Sequence, residues 1–177
     1  MTRLRKLLWG VAVLALLLVA AGLHYVLPRH ALVHVIGSEV KLVEALQQAT
    51  PTGMPSSRGR DVFYFNTTDL ARREVQVFRN EDTGWGFPWY LKFDSAEVQA
   101  RAQLLSRDER QMAVVRYYGW RLPMFSLFPN AVDVWATDVA EEPWPVFNLL
   151  FFTVLALVIA GGIWRFRRWR AARHHPD

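Results

Sequence analysis

Pro145 to Trp164 reads PVFNLLFFTVLALVIAGGIW, 20 residues without a charge, and Arg165, Arg167, Arg168, Arg170 and Arg173 follow it at once. A helix rises about 1.5 Å per residue, so this run covers roughly 30 Å, the thickness of a bilayer's hydrocarbon core. Trp144 stands just before the run and Trp164 closes it, at the two depths where amphipathic rings favour the headgroup region. The stretch 145–164 is therefore expected to cross a membrane. Its neighbours on both sides take their places from that.

Downstream, residues 165–177 form a basic tail. Arg165, Arg167, Arg168 and Arg170 would draw it to anionic lipid, while Phe166 and Trp169 insert at the interface. At the other end, Leu7 to Leu27 is a second apolar run of 21 residues, with Trp9 and Tyr25 near its ends and Arg3, Arg5 and Lys6 in the short segment 1–6 before it. Two readings fit this run. A cleaved signal peptide would use the basic start, a Leu7–Leu18 core and a cut after Val19-Ala20-Ala21. An uncleaved anchor, transmembrane over 7–27, accounts better for an apolar run that continues past the cut. Excess Lys and Arg mark the cytoplasmic side of a span. Both termini are thus expected in the cytoplasm, with the domain 28–144 outside it. Within the second span, Ala156 and Ala160 would allow close helix approach, and Asn148 and Thr153 either bond across an interface or satisfy local groups.

The charge balance supports this division. The chain has 21 basic and 16 acidic residues; removing the 8 basic and 1 acidic of the two flanks leaves 13 and 15, so the central domain is near −2. A nucleic-acid binder should carry its basic charge on the domain itself, and no nucleic-acid partner is expected. The bilayer is the partner the sequence does name. Cysteine is absent, so the outer domain must rely on its own core.

From His30 the pattern changes to period two. His30–Val43 reads as a strand with a glycine-permitted bulge at Gly37-Ser38. Gln47–Arg60 is a Pro/Gly loop, Asp61–Thr67 a strand with three aromatics, and Glu74–Val77 an alternating strand. Asn66-Thr67-Thr68 matches a glycosylation acceptor, a triplet common by chance. Asp94-Ser95-Ala96-Glu97 has capping-box spacing with Asp94 as cap, and Val98, Ala102 and Leu105 recur on one face of a short helix. Gln111–Tyr118 and Ala131–Ala136 are further strands. Strand, strand, strand, helix, strand, strand is the element order of an OB-fold, which a bent first strand also suits, although five strands and a helix fit other small barrels and sandwiches too. The expected fold is α+β: two transmembrane helices flanking a small five-stranded OB-like β-barrel with one short helix.

Two clusters are candidates for contact. Arg79–Asp94 (RNEDTGWGFPWYLKFD) combines Arg79, Glu81 and Asp82 with Trp85, Phe87, Trp89 and Tyr90. Its rings would stack a sugar or peptide side chain, or pack on the barrel and dip into lipid headgroups. Tyr117–Arg121 adds Tyr118, Gly119, Trp120 and Arg121. Gly119 is expected to supply a backbone angle that ends the strand. Trp120 and Arg121 would stack a ligand or pair with Glu81 or Asp82. Both clusters would then lie at one barrel rim. The binding candidates are Arg79, Glu81, Asp82, Trp85, Trp89, Tyr118, Trp120 and Arg121. The interface candidates are Trp9, Tyr25, Trp144, Trp164, Arg165, Arg167, Arg168, Trp169 and Arg170.

Through Arg79–Gly86 (RNEDTGWG), Lys92–Ser95 (KFDS), Tyr118–Arg121 (YGWR) and Phe128–Asn130 (FPN) the chain resembles a family of bacterial inner-membrane proteins of unknown function. The likeness extends over nearly the whole chain. It implies an inner-membrane topology with a periplasmic domain, and brings no activity, cofactor or catalytic residue.

Enzyme readings fare poorly. His30 and His34 on one strand would sit about 13 Å apart, too far to share an ion, and His24 lies at the membrane edge, so no metal site or cofactor is expected. No thiol, no nucleophile elbow and no phosphate loop is present, and Gly84-x-Gly86 lacks the third glycine. Asp61, Asp82 and Asp94 would be an acid/base pair only by leaving ordinary surface roles. No residue is assigned to catalysis. The sequence thus leads to a binding or scaffolding domain for an envelope or membrane protein partner, or an accessory subunit of a membrane complex. The alternative is a receptor for a small saccharide or peptide.

Overall fold

The structure is a computed structural model that describes residues 3–44, 59–71 and 73–173. It divides into two units, Met1–Pro143 and Trp144–Asp177.

The first unit begins with α1, Arg3–Val26, an unbroken helix of 24 residues. Five strands follow: β1 (Arg29–Glu44), β2 (Gly59–Asp69), β3 (Val75–Asn80), β4 (Met112–Tyr118) and β5 (Asn130–Thr137). They close into a barrel in the order β1-β2-β3-β5-β4. All pairings are antiparallel except β3 with β5, which is parallel. This is the expected five-stranded OB-like barrel. The loop expected over 47–60 lies outside the described residues, apart from Gly59 and Arg60, which open β2.

β1 serves both sides of the barrel. Arg29 to Val33 pair with β4, and Val33 to Glu44 pair with β2. The register shifts between Val35 and Gly37, which puts the bulge at Ile36, beside the expected Gly37. A second bulge falls at Val132, where Arg116 pairs with Asp133 and Tyr117 already pairs with Ala131.

The inward positions, Val33, Val35, Phe65, Phe78, Ala113, Val115, Ala131 and Val134, form one core. Phe65 and Phe78 stack at its centre with centroids 5.6 Å apart. Helix α2, Ser95–Leu105, contacts β1, β2, β3 and β5 and adds Val98 and Ala102 to the core, with Leu105 packed against it. The i, i+4, i+7 spacing is thus a buried stripe. The Asn66-Thr67-Thr68 triplet lies inside β2, with Thr67 buried and its Oγ1 donating to the Gln76 carbonyl.

The second unit is α3, Val146–Arg173. It does not end at Trp164 but runs on through the arginines, because Arg and Ala are strong helix formers. Three rings of its last turns, Trp164, Phe166 and Trp169, each find an arginine four residues later. Arg168 lies over Trp164 at 4.8 Å, Arg170 over Phe166 at 6.0 Å and Arg173 over Trp169 at 3.7 Å. Thr153 Oγ1 donates to the Leu149 carbonyl of its own helix, at 2.8 Å. Both α1 and α3 are long and apolar enough to cross a membrane.

Candidate functional site at the barrel rim

Four chain ends meet at one rim: the end of α1, the start of β1, the end of β4 and the seam between β3 and β5. The seam is short. Arg79 pairs with Asn130, and the Arg79 N–H donates to the Pro129 carbonyl at 2.9 Å. Beyond that residue the Asn130 side chain replaces strand backbone. Its Oδ1 accepts the Glu81 N–H at 2.9 Å, and its Nδ2 donates to the Glu81 carbonyl at 3.0 Å and the Tyr118 hydroxyl at 3.1 Å. An amide carries both an acceptor and two donors, so one buried side chain satisfies three groups.

The segment after the seam is a tied loop. Gly84, at φ +53, donates its N–H to the Lys92 carbonyl at 3.0 Å, and Thr83 Oγ1 accepts the Lys92 N–H at 3.2 Å. Between those ties Trp85, Phe87, Trp89 and Leu91 project outward, 80%, 66%, 75% and 51% exposed. Trp85 packs edge-on against Phe93 and Phe87 edge-on against Trp89. The rings therefore cover one another above the surface. Leu91 sits at φ +51, a left-handed angle that separates the inward Lys92 from Tyr90.

Lys92 is buried. Its Nζ donates to Asn80 Oδ1 and, at 2.7 Å, to the Ala131 carbonyl. Asn80 donates onward to the Ser95 carbonyl and Gln99 Oε1, and Gln99 to the Tyr64 carbonyl, so a polar chain runs beneath α2. Burial holds the Lys92 amine down at about 8, against the partial opposition of Asp94, Asp82 and Asp133. Burial likewise pushes the Tyr90 and Tyr118 phenols up.

Asp94 stands at the α2 N-cap position but makes no side-chain cap bond. Its expected role is corrected. Asp82, from the loop, caps the helix instead, accepting the Ser95 N–H at Oδ1 and the Ser95 hydroxyl at Oδ2, each at 2.9 Å. Asp94 is free to face Arg101 at 3.6 Å, and Arg101 reaches Asp133 at 2.6 Å. These charges border a shallow cleft of about 310 Å³ over the β5 bulge, lined by Tyr90, Lys92, Asp94, Arg116, Val132 and Asp133 among others.

The second cluster turns toward α1. Gly119, at φ +91, donates its N–H to the Tyr25 carbonyl at 2.9 Å, and Arg29 donates to the Gly119 carbonyl. The expected glycine angle is present, and it carries the helix junction. Trp120 Nε1 donates to His24 Nδ1 at 2.8 Å and its ring meets Tyr25 at 5.3 Å. Tyr90 donates its hydroxyl to the Val26 carbonyl at 2.5 Å and stacks on Tyr118 at 4.7 Å. Carbonyls of the last helical turn, which have no partner within a helix, are thus satisfied by the barrel.

The eight binding candidates are therefore dispersed along this rim. Arg79 pairs with Glu81 at 2.8 Å, Asp82 caps α2, and Trp85 and Trp89 are exposed on the loop. Tyr118 is buried under Tyr90 and Trp120 lies on α1. Arg121 donates to the Leu127 carbonyl at 2.9 Å and covers the Phe128 ring at 4.1 Å, rather than reaching toward Glu81 or Asp82. The two clusters do meet at one rim, through Tyr90 on Tyr118 and Asn130 on Glu81. The three histidines among the described residues go to separate neighbours: His24 to Trp120, His30 to Trp135, and His34 to the Gln111 carbonyl. No set of three metal-ligating side chains converges among the described residues.

Sequence reasoning missed Lys92, Asn130 and Tyr90 as organisers of the rim. A signal existed for Lys92: a single charge inside the apolar run Tyr90-Leu91-Lys92-Phe93 marks a buried amine. For Asn130 the sequence carries no such mark. The rim offers exposed aromatic surface, while its acids are engaged as cap and ion-pair partners.

A family described as protein of unknown function (DUF1523) matches residues 4–170. A protein of Haemophilus influenzae described as an uncharacterized protein is 35% identical over 147 residues, which is 82% of this chain and 83% of its own length. No solved structure matches the chain.

Proposed function

We propose, for a chain that belongs to the DUF1523 family of proteins of unknown function, a role as a non-catalytic binding or scaffolding module of the bacterial inner membrane. Its barrel faces the periplasm, both termini face the cytoplasm, and its partner is an envelope or membrane protein. The observation that carries this reading is the pairing of two apolar helices with basic outer ends: Arg3, Arg5 and Lys6 at the start of α1, and five arginines in the last turns of α3. The occupied state of the rim acids supports a contact role over a catalytic one, since Glu81, Asp82, Asp94 and Asp133 each hold a structural partner.

A receptor reading, for a small saccharide or peptide, draws on the exposed rings of Trp85 and Trp89. Tyr118 and Trp120 are already engaged, so these two rings would have to supply the platform.

Topology and assembly are tested together. A fluorescent-protein fusion after Asp177 should glow and an alkaline-phosphatase fusion there should be inactive. In mild detergent the full chain should migrate with a defined protein partner, and cross-link to it from the barrel. An active phosphatase after Asp177 would overturn the topology. A chain that runs alone but binds glycans or peptides saturably, with loss in Trp85→Ala, would favour the receptor.

A further inference from the structure

Two uncharged loops flank the point where α1 ends. One is Gly84–Leu91 (GWGFPWYL) and the other Leu122–Asn130 (LPMFSLFPN). The second contains the short 3₁₀ turn Pro123–Phe125 and the bridge between Leu122 and Leu127. Met124 and Phe125 at its tip are 93% and 70% exposed, which matches the exposure of Trp85 and Trp89 on the first loop. Soluble monomers scatter such side chains singly; several apolar tips gathered at one rim mark something that covers them.

The position of these loops is fixed by α1. Tyr90, between Trp89 and Leu91, donates to the Val26 carbonyl at 2.5 Å. Trp120, two residues before Leu122, donates to His24 at 2.8 Å and packs on Tyr25 at 5.3 Å. Both loops are therefore rooted at the last turn of α1, the level at which a spanning helix leaves the hydrocarbon and at which Trp and Tyr rings favour the lipid interface. Their composition fits that level: rings and a thioether at the tips, with no charge to desolvate.

We infer that the two loops seat the barrel rim in the bilayer interface, forming with Tyr25 an aromatic collar around the exit of α1. The occupant of this surface is lipid. The inference rests on the proposed spanning role of α1. In this arrangement the barrel stands at a fixed height and tilt above the membrane, and presents its remaining faces to a partner.

The chain has no cysteine, so single labels are placed without background. Full-length Trp89→Cys, Met124→Cys, Leu16→Cys and Arg110→Cys variants are labelled with an environment-sensitive fluorophore and reconstituted in phosphatidylethanolamine/phosphatidylglycerol vesicles. Arg110 is exposed and precedes β4, at the end of that strand away from Tyr118. The labels at 89 and 124 should be blue-shifted and quenched by lipid brominated near the headgroup. The label at 16 should be quenched by lipid brominated deep in the chains, and the label at 110 by aqueous iodide only. Aqueous behaviour at 89 and 124 with lipid behaviour at 16 overturns the collar while leaving the span intact. Aqueous behaviour at 16 overturns the span and the collar with it. Labels at 89 and 124 shielded from both quenchers show a protein cover, which also overturns the lipid assignment. Phe125→Cys serves as a second position on the turn and should repeat the result at 124.

Discussion

Asn130 and Glu81, 49 positions apart, are joined by two hydrogen bonds of 2.9 and 3.0 Å in which a side-chain amide imitates a strand. The parallel seam between β3 and β5 consists of one backbone pair, and this imitation lengthens it. A closed barrel depends on such a seam, because an open one leaves strand edges unsatisfied. In Asn130→Ala the Glu81 backbone and the Tyr118 hydroxyl lose these three bonds, at about 1–3 kcal/mol for each buried polar group whose bond is removed. Denaturant unfolding should show a loss of about 3 kcal/mol or more, with faster amide exchange at Glu81. Asn130→Asp should recover only part, since it accepts from Glu81 but does not donate. Unchanged exchange at Glu81 would contradict the seam role.

The α2 cap gives a second prediction. Removing a carboxylate cap costs about 0.5–2 kcal/mol. Asp82→Ala should lower barrel stability by about that much. Asp94→Ala, at the cap position but without a cap bond, should cost less, because it loses only a half-exposed ion pair. Thermal melts of the two variants in one detergent decide between them; equal losses would restore Asp94 as the cap.

Lys92 makes stability depend on pH. Its amine is held at about 8, below the ordinary 10.5. Between those values the unfolded chain binds a proton that the native chain does not, so stability rises with pH. The rise is at most about 3 kcal/mol, from 1.36 kcal/mol per pH unit. Below pH 8 both states are protonated and the cost of burying the ammonium stays constant. Above the usual phenol value of 10.0, Tyr90 and Tyr118 keep protons that the unfolded chain releases, and stability falls. Urea titrations should therefore show a maximum near pH 10. In Lys92→Met the rise should vanish and the fall remain.

Gly119 anchors the junction with α1. A Cβ there would meet nothing closer than the Pro129 Cα at 3.6 Å. The penalty of Gly119→Ala is therefore the φ of +91 alone, worth about 1–3 kcal/mol. Amide exchange should quicken at Gly119 and in the last turn of α1, with β2 and β3 unaffected until global unfolding. Trp120→Phe, which keeps the ring beside Tyr25 and removes the bond to His24, should cost about 1 kcal/mol.

Several elements are legible in the sequence because the forces behind them are local. Twenty uncharged residues make a membrane-length helix whatever surrounds them, and alternation in Val75–Asn80 makes a strand with one wet face. The bend near Gly37 and the turn at Gly119 follow from the angles that glycine permits. The element order along the chain points to a small five-stranded barrel with one helix, while the pairing of β5 between β3 and β4 comes from the structure. The arginines and rings of the tail are plain in the sequence, but their i, i+4 pairing depends on the helix continuing past Trp164.

Tertiary structure alone decided the partners. Asp82 caps a helix that begins 13 residues later, and Trp120 bonds a histidine 96 residues earlier. Asn130 closes a seam and Lys92 threads the space beneath α2. Composition and periodicity determine which faces must be hidden. Which polar atom satisfies which depends on where barrel closure brings distant chain ends, and no local pattern encodes that meeting.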